Sequence, residues 1–560
     1  MAGFVSLMYN PIVLNRLKNS NIAPYLGVFS FLFLCFFFMY FHVGTLAGGD
    51  DQFFHFRFAY EIKQNGFLES FHNFKSIFFS KMAQGDYYFL YYNFIFFLVI
   101  IPFTFIEPLF LGIKLYGVLS ATLSFTLIYA YLKKLKINNA FWFILFGIAS
   151  VGSGLLFRFF TSRPFVLAPA FLLFLLLALH KKRYFWVGAL SFLYLFWHSS
   201  TFFFTICVTA VYAVFEAFYG KRVDYRNILW SIFGTTIAIG MCYLINSDFL
   251  MFIYDTVFGI YKETILGQAV NIPEGVELYK TDFMDFIKNN SLFTISLVIS
   301  IFIFVSSYIK DRISNLDTTD DASFEGSIFF LTISFFLGTV AVSARFADFL
   351  VYFGIVFSAL ILSKLLKLIS VDKSVSKSVY GGISVSISYL FLASLFFVQS
   401  SIANSASPDG MRQVGEWINK NVNQKTVVFN TSWNWFPQLY YYAPNNYYIS
   451  GLEPRFMYAY NHGLYWRWSH ISNDGYLCDS ELCPISIKFN KLSESRKLTN
   501  GWYEKQGNLI ANSILNNFES KYVITSSNYK NLISLMDHSS RFGKQLETNN
   551  GYYIYKVFEK

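Results

Sequence analysis

Residues 25–57 read YLGVFSFLFLCFFFMYFHVGTLAGGDDQFFHFR, an apolar run followed closely by two carboxylates, a histidine and an arginine. The apolar part, residues 25–43, is long enough to cross a bilayer as one helix. No small-residue cleavage site follows it, and it is longer than the apolar core of a signal peptide, so we expect an uncleaved membrane anchor. The change of character after residue 43 therefore predicts a membrane-spanning helix that leads into a charged loop.

The apolar character continues far beyond this first run. Of the 560 residues, 55% are hydrophobic and only 14% are charged, whereas soluble domains carry about 25% charged residues. The aromatic share of 21% also excludes a disordered chain, because so many rings give much surface to bury. The sequence predicts a polytopic α-helical membrane protein with about eleven spans, at residues 25–43, 109–132, 141–157, 164–179, 184–199, 201–219, 227–246, 291–309, 327–343, 347–363 and 380–400.

Basic residues predict the orientation, because lysine and arginine favour cytoplasmic loops. They cluster in six alternate connections, namely Arg16 and Lys18, Lys133 to Lys136, Lys181 to Arg183, Lys221 to Arg226, Lys310 and Arg312, and Lys364 and Lys367. All six face the cytoplasm only if residues 88–106 do not cross, so we expect that segment at the outer interface, with a twelfth span as the alternative. The N-terminus is then inside and the C-terminus outside, as suits a bacterial inner membrane. The net charge of +10 sets topology, and no nucleic-acid partner is expected.

Two regions follow from this topology. Residues 1–400 form the membrane domain, with outer loops at about 44–108 and 247–290. Residues 401–560 change to mixed polar sequence with short β-rich stretches, which predicts an extracytoplasmic soluble α/β domain. Cys478 and Cys483 bracket four residues in this domain, where they form either a small disulfide loop or two free thiols.

The charged loop after the first run carries the strongest chemical signal. Asp50 and Asp51 lie where the chain leaves the membrane, and His55 and Arg57 follow them. Paired carboxylates at such a place act as a general base or hold a divalent cation beside a phosphate leaving group. The alternative is a solvated loop with a salt bridge between Asp51 and Arg57.

The run Asp51-Gln52-Phe53-Phe54-His55-Phe56-Arg57 resembles the first outer loop of the catalytic subunit of oligosaccharyltransferase, a GT-C glycosyltransferase. The resemblance continues in order with Thr161-Ser162-Arg163, Trp197-His198-Ser199 and Ser343-Ala344-Arg345-Phe346. It implies that Asp51, with Asp50 beside it, is the catalytic acid. It also implies donor-phosphate contacts from Arg345, Arg163, Arg57 and His55, in agreement with the bidentate binding of phosphate by guanidinium groups. Snorkelling at the membrane surface is the alternative for Arg345 and Arg163.

Two departures from that family limit what the resemblance implies. The segment after Arg163 lacks the family's second acidic pair, so a divalent Mg or Mn ion on Asp51 is in doubt. Asp50 or Glu263 would have to replace that pair, or the enzyme would work without metal. The soluble domain has Trp433-Asn434-Trp435 where the family has Trp-Trp-Asp, so transfer to asparagine does not follow.

The acceptor-binding candidates are Glu263, Trp433, Trp435, Glu453 and Arg455. For the aromatic residues the alternative is core packing, and for Glu263 it is an ordinary solvated loop.

These observations predict an enzyme that transfers a sugar or oligosaccharide from a polyprenyl-phosphate or polyprenyl-diphosphate carrier. The acceptor would be a protein, a lipid or a glycan on the outer face of the membrane. A flippase or transporter of lipid-linked sugars is the alternative, although the predicted spans carry almost no ionisable residue near the bilayer centre.

Overall fold

The computed structural model describes residues 22–48, 51–72, 74–77, 93–245, 279–313, 322–369, 373–405, 407, 409–451, 454–482 and 500–559. Asp50, Glu263, Glu453 and Cys483 lie outside the described residues, and the side chain of Arg455 is not described.

Helices dominate the described chain. In chain order they are α1 Ala23–Phe41, α2 Asp51–Asn65, α3 Phe67–His72, α4 Phe94–Ile100, α5 Leu109–Lys134, α6 Ala140–Ser150, α7 Ser153–Arg158, α8 Ala168–His180, α9 Tyr184–Trp197, α10 Phe204–Phe218, α11 Tyr225–Ile245, α12 Phe283–Asn289, α13 Ser291–Ile313, α14 Ala322–Ala341, α15 Phe346–Ile369, α16 Lys373–Ala403, α17 Arg412–Asn421, α18 Phe436–Tyr442, α19 Pro454–Tyr460, α20 His462–Asp474, α21 Asn500–Asn516 and α22 Lys530–Asp537. The strands are β1 Val427–Asn430, β2 Tyr447–Tyr448, β3 Ser520–Ser526, β4 Phe542–Glu547 and β5 Tyr552–Val557.

The chain divides into two compact units. The membrane unit holds the described parts of Met1–Gly48, Phe110–Met241 and Glu277–Ser405. The sheet unit holds the described parts of Gly49–Leu109, Cys242–Val276 and Ala406–Lys560. Helix α2, which begins with Asp51, is thus grouped with the C-terminal region.

Eight of the described helices are long and apolar enough to cross a membrane. They coincide with eight of the eleven predicted spans, which confirms a polytopic helical membrane protein. The three other predicted spans, 141–157, 164–179 and 184–199, are shorter apolar helices of 10–17 residues. The first of these ends early because Val151 is extended after Ser150, and a separate helix, α7, begins at Ser153. The described part of segment 88–106 also forms a short apolar helix, Phe94–Phe105.

The sheet unit is built on a mixed five-stranded sheet with the strand order β2-β1-β3-β5-β4. Strand β1 is parallel to β2 and to β3, while β5 pairs antiparallel with β3 and β4. Buried side chains of β1 and β3, such as Phe429 and Val523, form one core with helices α20, α21 and α22. The predicted C-terminal α/β domain is therefore confirmed, and within it Cys478 is disulfide-bonded.

A segment from the predicted first outer loop extends this sheet. Ser76 forms a parallel bridge with Tyr448 of β2, and the Tyr448 amide donates to the Lys75 carbonyl at 2.8 Å. The edge of β2 is thus covered by residues that precede it by more than 300 positions. Such covering satisfies backbone groups that an exposed edge would leave open.

Candidate functional site

Asp51 begins helix α2 and lies in its first turn. A carboxylate is favourable there because the helix dipole places partial positive charge at the N-terminus. Along the rest of α2 the residues from Gln52 to Ile62 are mostly buried on every side. Asp51 itself is half-buried, so the helix presents its first carboxylate from a firmly packed support.

Aromatic side chains hold α2 against helix α18 within the sheet unit. The ring of Phe53 lies 4.9 Å from that of Tyr441, and the ring of Phe54 lies 6.1 Å from that of Tyr440. Phe74 joins them, with ring distances of 5.6 Å to Phe54 and 5.9 Å to Phe436. Tyr440 and Tyr441 of α18 therefore support the helix that begins with Asp51.

A charged cluster lies at the same contact. Arg57 Nε is 3.5 Å from Glu61 Oε1, and the buried Tyr440 hydroxyl interacts with the Glu61 carboxylate. Burial raises the pKa of the Glu61 carboxyl, although Tyr440, Arg57 and Lys75 lower it in part. Burial likewise lowers the pKa of Lys75. This cluster could not be predicted from the sequence, because Lys75 and Tyr440 are separated from Glu61 along the chain.

The alternative of an Asp51–Arg57 salt bridge in a solvated loop does not describe this segment. Asp51 and Arg57 are six residues apart in one helix, which separates them by about 9 Å along the helix axis. Arg57 instead pairs with Glu61 one turn later and lies over the ring of Tyr60 at 5.0 Å.

His55 lies among aromatic rings. It is 6% exposed, and its ring is 5.2 Å from that of Phe96 and 5.7 Å from that of Phe97. Its predicted contact with the donor phosphate remains a prediction.

The two tryptophans of the acceptor prediction differ in their environment. Trp435 is buried, with its ring 5.8 Å from that of Tyr529 and 5.4 Å from that of Tyr552, which is the core packing weighed as the alternative. Trp433 is only half-buried at the edge of the core, so it is the better placed of the two to meet a ligand.

In the membrane unit, Arg158 and Asp348 form a bidentate ion pair. Arg158 Nε donates to Asp348 Oδ1 and Nη2 donates to Oδ2, both at 2.7 Å. The pair joins the end of α7 to the first turn of α15 across 190 residues of sequence. Arg163 and Arg345 lie close to this pair in sequence, on the segment that follows α7 and immediately before α15.

The segment from Arg158 to Val166 is fixed from several helices of the membrane unit. Trp197 Nε1 donates to the Pro164 carbonyl at 2.7 Å, and the Tyr352 hydroxyl donates to the Val166 carbonyl at 2.6 Å. We call residues 158–166 the arginine loop. Its conformation is therefore set by side chains from α9 and α15 that its own sequence does not reveal.

Residues 42–48, which follow α1, are also fixed by hydrogen bonds from other parts of the membrane unit. We call this segment the connector. The buried Lys114 side chain donates to the Val43 carbonyl, and the Ala47 amide donates to the Tyr40 hydroxyl at 2.9 Å. Ser405 Oγ donates to the Leu46 carbonyl at 2.7 Å. The connector ends three residues before Asp51 in the sequence.

The described residues contain no ready-made cluster of ligands for a divalent metal. Among them, no group of three or more His, Cys, Asp or Glu side chains could hold an ion. Of the substitutes considered for the missing acidic pair, Asp50 and Glu263 lie outside the described part of the chain. The predicted Mg or Mn ion therefore remains a prediction, and we derive no step through it.

The long apolar helices, together with the mixed-sheet unit, define an integral membrane protein with a C-terminal α/β domain. Comparison with solved structures shows that its fold is the GT-C glycosyltransferase fold, so the predicted resemblance is confirmed at that level. No family model and no curated protein matches the sequence.

Two solved structures illustrate the likeness. The apo oligosaccharyltransferase of Archaeoglobus fulgidus matches with a TM-score of 0.58 and 12% identity, over 96% of this chain and 74% of that chain. ArnT from Cupriavidus metallidurans, bound to undecaprenyl phosphate, matches with a TM-score of 0.55 and 10% identity, over 96% of this chain and 98% of that chain. At these identities the likeness concerns the fold.

Proposed function

We propose that the protein is a membrane glycosyltransferase that moves a sugar or oligosaccharide from a polyprenyl-phosphate or polyprenyl-diphosphate carrier to an acceptor. The acceptor is a protein, a lipid or a glycan on the outer face, and the membrane is the bacterial inner membrane. The observation that carries the proposal is the likeness over 96% of the chain to an oligosaccharyltransferase and to ArnT with undecaprenyl phosphate bound.

Asp51 acts as the general base in this proposal. Its carboxylate takes the proton of the acceptor hydroxyl or amine as that group attacks the anomeric carbon of the donor sugar. The bond between the anomeric carbon and the carrier phosphate oxygen breaks, and the phosphate departs as an anion that needs no proton.

Arg163 and Arg345 bind the donor phosphate. A guanidinium group stays charged throughout and matches two phosphate oxygens with a pair of parallel hydrogen bonds. Charge that develops on the departing phosphate is stabilised by such fixed cations. Trp433 is assigned to the acceptor side, and the roles of Asp50, Glu263, Glu453 and Arg455 stay predictions.

A strain that lacks the gene tests the proposal. Mass analysis of its glycoproteins, glycolipids and envelope glycans should reveal a missing glycoform, which wild-type protein restores and Asp51→Asn does not. Asp409→Asn, which changes an exposed carboxylate of the same unit, serves as the matched control and should restore it fully. Both variants must be present in the membrane at wild-type level.

Reconstituted vesicles separate this function from a flippase. A transferase makes a new glycosidic bond to the acceptor, whereas a flippase moves the lipid-linked sugar unchanged. Full activity of the Asp51→Asn protein, or transport without a new product, would overturn the proposal.

A further inference from the structure

The ion pair between Arg158 and Asp348 is well defined and well shielded. Asp348 is 4% exposed, and the Arg158 side chain is 18% exposed. Two parallel hydrogen bonds of 2.7 Å fix the relative orientation of the two side chains as well as their distance. Arg158 therefore has its Nε and one terminal nitrogen committed to a carboxylate of the protein.

Within the arginine loop, Arg158 and Arg163 share one aromatic neighbour. The guanidinium carbon of Arg158 lies 4.7 Å from the centre of the Phe165 ring, and that of Arg163 lies 5.7 Å from the same centre. Cations over a ring face are attracted by its quadrupole. Phe165 thus connects the position of Arg163 to that of Arg158.

Hydrogen bonds to backbone carbonyls also link position 158 to position 163. The Arg158 carbonyl accepts a 2.7 Å bond from Thr161 Oγ1, and the Thr161 carbonyl in turn accepts from the Arg163 amide at 2.9 Å. On the other side, Asp348 is three residues after Arg345 in the same segment, and the Asp348 amide donates to the Arg345 carbonyl at 3.4 Å. Each member of the pair is thus bonded within the segment that carries one of the two arginines assigned to the donor.

We propose that Arg158 and Asp348 are a positioning pair that sets the conformation of the arginine loop and so the place of the Arg163 guanidinium. Arg158 does not bind the donor phosphate itself. A buried ion pair contributes little net stability compared with apolar residues of similar size, so orientation is the property that distinguishes it. This inference rests on the proposed function for the role of Arg163, but not for the conformation of the loop.

The test replaces both charges at once with Arg158→Met/Asp348→Leu, which leaves no unpaired buried charge. The exposed pair Arg412–Glu416, with a 2.8 Å contact, provides the matched control as Arg412→Met/Glu416→Leu. The probe is undecaprenyl phosphate in detergent, and melting temperature reports folding. We expect the pair variant to have the melting temperature of the wild type but to bind undecaprenyl phosphate about 10-fold more weakly, because small misplacement of a binding group has large effects. Arg163→Met should weaken binding to the same extent.

If the wild-type protein does not bind undecaprenyl phosphate, the proposed donor is wrong. A second measurement then still tests the inference about the loop. Arg163→Cys is labelled with a charged thiosulfonate reagent, with and without the pair replacement, and the unsubstituted protein gives the background. A changed labelling rate supports the positioning role. An unchanged labelling rate overturns the inference. If the wild-type protein binds undecaprenyl phosphate, equally tight binding by the pair variant overturns it as well.

Where the pair variant fails to fold, Asp348→Asn and the exchanged pair Arg158→Asp/Asp348→Arg replace it. The exchange should restore the labelling rate that Asp348→Asn changes. If Asp348→Asn labels at the wild-type rate, or the exchange restores nothing, the pair does not position the loop.

Discussion

Gly48, the last residue of the connector, is a position where a single added methyl group should have a large effect. Its φ is +83°, and a Cβ added there would lie 2.1 Å from Thr161 Cγ2 and 3.2 Å from Thr161 Cβ. Residues with a Cβ adopt positive φ at a cost of about 1–2 kcal/mol. Overpacking a close contact adds about 1–3 kcal/mol. Gly48→Ala should therefore reduce the free energy of unfolding by about 2–5 kcal/mol.

The two contributions can be separated by one further substitution. Thr161→Ser removes Cγ2 but keeps the hydroxyl that donates to the Arg158 carbonyl at 2.7 Å. In the double variant Gly48→Ala/Thr161→Ser the steric part, about 1–3 kcal/mol, should be recovered while the backbone strain remains. Gly44→Ala is the matched control, since it lies in the same connector, lacks a positive φ and has no atom within 4 Å of the added Cβ.

The assay is reversible unfolding of the purified protein in mixed micelles, followed by tryptophan fluorescence, for all four members of the cycle. A stability of Gly48→Ala equal to that of Gly44→Ala would refute the argument. Destabilisation of the double variant equal to the sum of the single variants would refute the assigned contact between Gly48 and Thr161.

Three other results are expected. Burial raises the pKa of the Glu61 carboxyl in the folded protein, whereas in the unfolded chain this group loses its proton above about pH 4.3. The folded state therefore binds one proton more in this range, and the free energy of unfolding should fall as the pH rises through the raised pKa. Glu61→Gln should remove that slope in melting curves taken across the range, and an identical slope would contradict it. Tyr352→Phe should cost about 0.5–1.5 kcal/mol of unfolding free energy, since the Val166 carbonyl loses its 2.6 Å donor and keeps only the 3.4 Å bond from Ser124 Oγ, and an unchanged denaturation midpoint would argue against the Tyr352 bond. A fragment of residues 406–560 should be less stable and more prone to aggregate than the same fragment fused to 51–109, and equal melting and solubility would show that the covering segment is dispensable.

The fold class was predictable because its signals are local. A run of apolar residues crosses a bilayer or does not by its own length and composition, and eight predicted runs are helices of that kind. The polar composition after residue 401 predicted the α/β domain in the same way. The three runs that form shorter helices were harder, because helix ends depend on single residues such as Val151 and on packing around them.

The candidate site was predictable only in part. The motif that starts at Asp51 is contiguous, so its residues were identified together, and Arg163 and Arg345 were found by likeness to a family. Their supports were not found, since Arg158 meets Asp348 across 190 residues and Glu61 meets Tyr440 across the chain. A carboxylate looks the same in sequence whether it faces water, a cation or a hydroxyl group.

The sequence by itself thus determined that the chain is a polytopic helical membrane protein, and which residue types are available for chemistry. Only the tertiary structure decided that Arg158 is paired with Asp348, that Tyr440 supports the Asp51 helix and that Gly48 packs on Thr161. The physical reason is that apolar length acts residue by residue along the chain. Burial and pairing, in contrast, exist only when distant segments have been brought into contact.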